Sequence, residues 1–467
     1  MMYSASVLII TYRVTISPTL LQRYNRPVPR YTSYPPANRF SEDFDLDSLL
    51  AAERDPAESC FYFHLPFCPS QCWYCGCTNL ISRNPALISR YVDTLCEELR
   101  LYAQLYDPSE PVVHLQWGGG SPTALSPANI RQLGQTIREN FPVSDRLDFS
   151  IEMDPRHLTA DRAAAFAEIG CTRASLGVQD LNLVVQAAIN RIQPSATVDD
   201  ACRRLRAVGI ERISLDLVYG LPLQNRSSFC ETLEKVLRWQ PDRLSLFAYA
   251  HIPWLKPEQK RFDRQDSLPD PELRLNLFTD AVSFMEEKGY VWLGLDHFAL
   301  PDDPLAQAWR KGRLRRNFQG YTTGEESRVV GFGLSSITSQ KRGFRQNSKN
   351  LRSYLRGISD HRFPVERGYI LTEEDRIRGT LIERLMTRLE VTESDLDPWP
   401  GTSLSGILQE QLPMIETMQG DGLLEKEEDR LTVTRLGRFF LRCIAQCLDA
   451  ARVPAESSSA PRHSQSV

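Results

Sequence analysis

The chain has 467 residues, 42% of them hydrophobic and 24% charged, the balance of a soluble globular protein. A formal net charge of −4 gives no reason to expect nucleic acid or a membrane surface as a main partner. Eleven cysteines are too sparse for a secreted disulfide scaffold, and their clustering favours metal over bridges, hence a reducing cytoplasm.

The apolar run Ser6–Ile10 is short and broken by Thr11, Tyr12 and Arg13. It has neither a basic flank nor a small-residue cleavage site, so it does not read as a signal peptide. No stretch reaches the ~20 apolar residues that span a bilayer. Residues 1–18 read as an extension of no assigned role. Residues 19–59 form an arm rich in Arg, Tyr and Pro, whose prolines bias it to an extended form. Arg30 and Tyr34 on this arm are candidates for touching an acidic substrate.

From residue 60 to 300, short apolar runs alternate with segments of helical period. The runs are Cys60–Phe67, Val112–Trp117, Leu147–Met153, Arg173–Val178, Arg212–Val218, Arg243–Tyr249 and Val291–Leu295. This alternation predicts βαβ units and a parallel sheet curled into a full or partial barrel. Each run closes on glycine or polar residues, as at Gly118-Gly-Gly120-Ser121, Glu152, Gln179-Asp180 and Asp216. Parallel barrels gather their chemistry at these C-terminal strand ends.

After the first run comes Tyr62-Phe-His-Leu-Pro-Phe-Cys68-Pro-Ser-Gln-Cys72-Trp-Tyr-Cys75-Gly-Cys77. Cys68, Cys72 and Cys75 fall at i, i+4 and i+7, which would also make a stripe on a helix, but Pro66, Pro69 and Gly76 oppose a helix here. The spacing favours three thiolate ligands of a [4Fe–4S] cluster with one iron left open. The alternative is a zinc site with Cys77 as its fourth ligand.

Residues 301–365 read as a barrel-closing segment holding Arg315, Arg316, Gln319 and a Gly-rich turn before Ile337. Residues 366–452 read as a mainly helical, winged-helix-like domain. Thr372 and Asp375 read as its first helix cap, and Gly422–Gly437 as an acidic β-hairpin wing that would repel phosphates. Cys443 and Cys447 read as buried small apolar residues. Residues 453–467 read as a disordered tail.

Cys-x3-Cys-x2-Cys is the signature of the radical S-adenosylmethionine (SAM) enzymes. With Tyr62, His64 and Cys77 around it, the chain resembles the oxygen-independent coproporphyrinogen III oxidases. Matching strings run from Pro29-Arg-Tyr-Thr-Ser-Tyr-Pro35 through Trp117-Gly-Gly-Gly120, Ile151-Glu-Met-Asp-Pro155, Gly177-Val-Gln-Asp180, Asp216-Leu-Val-Tyr-Gly-Leu-Pro222 and Tyr249-Ala-His251 to Asn317-Phe-Gln-Gly-Tyr-Thr-Thr323.

The resemblance implies an α/β fold: a partial TIM-like (β/α)6 radical SAM barrel. It implies a [4Fe–4S] cluster on Cys68, Cys72 and Cys75, and two bound SAM molecules. Tyr62, Gly119, Glu152 and Ile337 match the positions for the cluster-bound SAM. Tyr74, Gly120, Ser121, Gln179, Arg191, Asp216 and Ala250 match those for the second; Ser121 replaces a more usual Thr. Cys77 and His64 match functional positions near the radical. Arg30, Tyr34, Arg315, Arg316 and Gln319 are candidates for the substrate carboxylates.

The implied reaction turns two propionates of coproporphyrinogen III into vinyl groups, giving protoporphyrinogen IX. An electron donor such as flavodoxin or ferredoxin is the implied partner of a cytoplasmic monomer. The rival reading is the related haem chaperone. That branch typically lacks the fourth cysteine and the Arg-Tyr-Thr-Ser-Tyr-Pro arm, both present here.

Overall fold

The computed structural model describes residues 16–265, 267–324, 328–450 and 463–466. Its main sheet has six strands that follow the sequence alternation: β1 (Ser59–Leu65), β2 (Val112–Gly119), β3 (Val143–Met153), β4 (Arg173–Gln179), β5 (Arg212–Tyr219) and β6 (Arg243–Ala248). Six further strands follow: β7 (Val291–Leu293), β8 (His297–Ala299), β9 (Arg328–Phe332), β10 (Ile337–Gln340), β11 (Gly343–Asn347) and β12 (Val365–Ile370). Their order across the sheet is β12-β11-β10-β9-β1-β2-β3-β4-β5-β6-β8-β7. β9 and β1 to β6 are mutually parallel, and the remaining strands pair antiparallel at the two edges. The outer strands β12 and β7 do not pair, so the curl stays an open, partial barrel.

Local chemistry sets the crossover helices. Asn84, Ser126, Thr159, Asn225 and Asp270 each accept a backbone N–H at a helix start, and Pro85, Pro127 and Pro271 occupy the first helical position. Such caps contribute about 1 kcal/mol each, and proline there loses no hydrogen bond. The helices bury Leu95, Leu99, Ile130, Leu133, Phe166, Leu205 and Phe229 against Phe61, Phe63, Trp117, Phe149, Leu176 and Leu215 of the strands, in one continuous core.

The C-terminal module starts at helix Glu373–Arg388, where Thr372 and Asp375 form a reciprocal capping box. Strands Leu424–Lys426 and Arg430–Val433 make the hairpin wing, and Glu390–Thr392 adds a third strand. Cys443 and Cys447 are fully buried.

The expected disordered tail, residues 453–467, falls mostly outside the described residues. Residues 451–462 lie outside the described residues, as do 1–15. Residues 464–466 instead lie along the arm: Ser466 N donates to Arg26 O at 2.9 Å and Val28 N to Ser464 O at 3.3 Å. The buried Arg442 side chain ties both segments together, donating to Pro29 O at 3.1 Å, to Gln465 O at 2.9 Å and also to Val28 O. The anchor of residues 464–466 is thus Arg442, a residue some twenty positions earlier in the chain. Among the described residues no helix is long and apolar enough to cross a membrane.

Candidate active site

Past Leu65 the chain leaves the sheet and forms a hoop. Its two ends are pinned: Leu80 N donates to Pro66 O at 2.7 Å and Ser82 N to Cys68 O at 3.1 Å. Neighbouring loops hold its middle. Trp73 N donates to Ile189 O at 3.0 Å, Asn190 Nδ2 to Gln71 O at 2.7 Å and Gln259 Nε2 to Tyr74 O at 3.1 Å. The four cysteines therefore lie on a tethered loop and not on a helix, and none is in a disulfide.

The hoop forms one wall of a cavity of about 800 Å³ at the C-terminal strand ends. Of the residues singled out from the sequence, the cavity gathers Cys68, Cys72, Tyr74, Cys75, Cys77, Gly119, Gly120, Ser121, Glu152, Gln179, Arg191, Asp216, Ala250, Arg30 and Gln319. The Gly-Gly-Gly turn is there for space. A Cβ on Gly118 would lie 2.7 Å from the Glu152 carboxyl, and one on Gly120 would lie 2.4 Å from Pro66 backbone. Gly119 has φ +105°, and a Cβ there would meet the His64 ring at 2.7 Å.

Glu152 accepts from Gln116 Nε2 at 3.1 Å and from Gly119 N at 3.3 Å. Burial, with Asp216 nearby, pushes its pKa up to about 7. Asp216 accepts from Ser175 Oγ at 2.8 Å, and burial raises its pKa too. The Cys77 thiol draws the Cys75 pKa down to about 6, while Cys75 pushes the Cys77 thiol up. Cys75 is thus the readier thiolate of the two.

Tyr62, His64 and Ile337 sit just outside this lining. His64 Nε2 lies 2.9 Å from Thr78 O, and Nδ1 lies 3.1 Å from Tyr62 Oη. One neutral tautomer satisfies both, with Nε2–H donating and Nδ1 accepting. Burial lowers the His64 pKa to about 4. Ile337 backbone packs against Gly331, the residue opposite Tyr62 in the sheet.

Three substrate candidates are placed elsewhere. Tyr34 is buried and donates to Asp449 at 3.1 Å, anchoring the arm. Arg315 pairs with Glu383 at 2.7 Å, and the Arg316 guanidinium lies 4.7 Å from the Tyr321 ring centre. All three line a separate cavity of about 560 Å³ beside the C-terminal module. The sequence offered no means of separating these arginines from the catalytic rim, because their partners, Glu383 and Tyr321, are set by the fold and not by local spacing.

Sequence reasoning missed the ion cluster beside Cys72. Asp154 Oδ2 accepts from Arg156 Nη2 at 2.7 Å and from Arg191 Nη1 at 3.2 Å. Those guanidiniums lie 3.6 Å and 3.5 Å from Cys72 Sγ. Burial opposes ionisation of Asp154, but Arg191 and Arg156 outweigh it and hold its pKa far below the usual range. The signal was available, since Asp154 and Arg156 directly follow the strand end at Glu152. Arg442, His463 and Ser464 also line the cavity, and no local pattern announces them.

The thiol geometry limits what the hoop can hold. Among the described residues no group of three or more His, Cys, Asp or Glu side chains is placed to hold a single metal ion. Three thiols on one tethered hoop, with two guanidiniums at Cys72 to offset thiolate charge, fit an iron–sulfur group. Arg191 Nε is also buried without a protein partner.

Residues 62–236 match the Radical SAM superfamily, and residues 371–440 match the HemN C-terminal domain. The oxygen-independent coproporphyrinogen III oxidase of Synechocystis sp. is 37% identical over 446 residues, covering 93% of this chain and 95% of that protein. The Escherichia coli (strain K12) protein of the same name is 37% identical over 432 residues, covering 92% and 94%. The solved structure of coproporphyrinogen III oxidase (HemN) from Escherichia coli, described as a radical SAM enzyme, matches with a TM-score of 0.88 at 35% identity. It covers 94% of this chain and 100% of that one. With this likeness running nearly end to end, the chain belongs to the oxygen-independent coproporphyrinogen III oxidase family.

Proposed function

We propose that this chain converts coproporphyrinogen III to protoporphyrinogen IX without oxygen: each of two propionate side chains loses carbon dioxide, one hydrogen atom to a fragment of SAM and one electron to an electron acceptor, and becomes a vinyl group. Its cofactors are a [4Fe–4S] cluster and SAM, which together supply reductive cleavage of SAM and abstraction of a hydrogen from a propionate β-carbon. The protein's part is positioning and exclusion of water. The observation that carries this reading is the tethered hoop with Cys68, Cys72 and Cys75 on the wall of a single large cavity at the barrel's C-terminal rim.

Cys68, Cys72 and Cys75 hold the cluster, and Cys77 stays a thiol facing the cavity. Glu152 and Gly119 receive the SAM amino group, where a carboxylate with a pKa near 7 can accept an ammonium. Tyr62, His64 and Ile337 back this position. Arg191 and Asp216, with Tyr74, Gly120, Ser121, Gln179 and Ala250, receive a second SAM, the guanidinium meeting its carboxylate and Asp216 its ribose hydroxyls. Arg30 and Gln319 are the substrate contacts within the cavity. Tyr34, Arg315 and Arg316 act on the substrate only through the arm and hairpin they brace. A one-electron donor protein reduces the cluster.

The test is anaerobic. Cluster-loaded protein is given SAM, a reductant and coproporphyrinogen III, and protoporphyrinogen IX and 5′-deoxyadenosine are measured. Tight haem binding with neither product would instead support the haem-chaperone reading.

A further inference from the structure

Seven large apolar side chains stand out from the described surface, between 40% and 66% exposed: Ile81, Leu183, Val184, Ile192, Leu223, Trp254 and Leu255. Scattered singly, exposed apolar residues mean nothing. Here every one lies on a segment packed against the cysteine hoop. Ile81 pairs with Cys68 itself. Leu183, Val184 and Ile192 bracket Ile189 and Asn190, which hold Trp73 and Gln71. Trp254 and Leu255 precede Lys256, whose Nζ donates to Cys77 O at 2.5 Å. Leu223 extends the turn at Leu221, and Leu221 shares a small core with Val185, Ile189, Phe262 and Trp73.

The charge on these segments is one-sided. Arg83, Lys256, Lys260 and Arg261 lie on them, against the two carboxylates Glu258 and Asp263. Arg83 Nε donates to Pro69 O at 3.0 Å, and the Arg261 guanidinium lies 3.4 Å from the Trp73 ring centre. Cations therefore flank the hoop on both sides, although the whole chain carries a net charge of −4.

We propose that this basic-rimmed apolar face is the docking surface for a small acidic one-electron carrier protein of the flavin or iron–sulfur type. The proposal rests on the function proposed above. One electron leaves the carrier and enters the cluster for each SAM cleaved; the carrier is oxidised, and no group moves with the electron. The apolar centre supplies desolvated contact area. The cations speed encounter and exclude basic partners.

The experiment uses cluster-loaded protein carrying Leu183→Glu and Leu255→Glu, with flavodoxin and ferredoxin as probes. Binding of the oxidised carrier, read by calorimetry, weakens about tenfold or more, equivalent to about 1.4 kcal/mol. The KM for the reduced carrier rises in parallel, while dithionite-driven 5′-deoxyadenosine formation is unchanged. Lys260→Glu weakens carrier binding and flattens its dependence on salt. Unchanged carrier binding and KM in the double variant overturn the proposal. So does a wild-type protein that binds neither carrier, or a wild-type dimer that the double variant dissolves with carrier kinetics intact, which would make the face a self-association surface. Wild-type protein that makes no 5′-deoxyadenosine even with dithionite sinks the enzymatic function itself, a separate failure.

Discussion

Arg191 Nη1 lies 3.2 Å from Asp154 Oδ2 and 3.5 Å from Cys72 Sγ, with both charged side chains less than a tenth exposed. Asp154 thus holds a guanidinium against a thiol of the hoop. Breaking a buried pair by removing one partner costs about 3–5 kcal/mol, because the other charge is left uncompensated. Asp154→Ala should lower the denaturation midpoint accordingly and leave Arg156 and Arg191 in mutual repulsion. Asp154→Ala with Arg191→Ala should recover part of that loss. A double-mutant cycle with no coupling would show that the pair does not hold the hoop.

Cys77 and Cys75 divide the roles of two neighbouring thiols. Cys77→Ser should leave iron and sulfide content near normal after anaerobic reconstitution and reduce turnover. Loss of the cluster in that variant would make Cys77 a ligand. Cys75→Ser should lose the cluster, which visible absorbance reads directly.

Two buried groups give the cluster-free protein opposed pH dependences. The Glu152 pKa is raised from 4.5 to about 7, so its contribution to stability is present below pH 4.5 and lost as pH rises to 7. The His64 pKa is lowered from 6.5 to about 4, so its contribution is present above pH 6.5 and lost as pH falls to 4. Each amounts to about 3 kcal/mol by linkage. The two should largely cancel in the wild type. Glu152→Gln should expose the His64 half, with stability rising from pH 4 to 6.5 in urea titrations. A flat profile in that variant would contradict the burial of His64.

Much of this was legible from local pattern. The strand runs and polar strand ends predicted β1 to β6 and their shared rim, since alternation and breakers act over a few residues. Thr372 and Asp375 predicted a cap that forms as read. What stayed hidden depends on contacts distant in sequence. β9 lies beside β1 across more than 260 residues. Arg315 looked like a substrate arginine, and Glu383, on a helix of the next module, pairs with it. The tail is polar and small-residue-rich, which describes its solubility and says nothing of the arginine that receives it.

That arginine carries the last prediction. Arg442 is buried, and burial with Arg30 nearby lowers its pKa to about 10. Its donors go to backbone carbonyls of the arm and tail, and those carbonyls replace the water the guanidinium has lost. Deleting residues 463–467 would strip three acceptors, Ser464 O, Ser464 Oγ and Gln465 O, from a buried cation, at about 1–3 kcal/mol for each donor left unsatisfied. The deletion should therefore lower the melting temperature. It should also raise the KM for coproporphyrinogen III, because His463 and Ser464 line the cavity beside Arg30. SAM affinity should not move, since the residues proposed to bind SAM lie on the barrel strands, the loops that follow their ends, and the hoop. Arg442→Met in the truncated chain should restore part of the thermal loss, because it removes the buried charge, and should leave the substrate KM high. A truncated chain with unchanged melting and unchanged KM would mean that the tail merely rests on the arm.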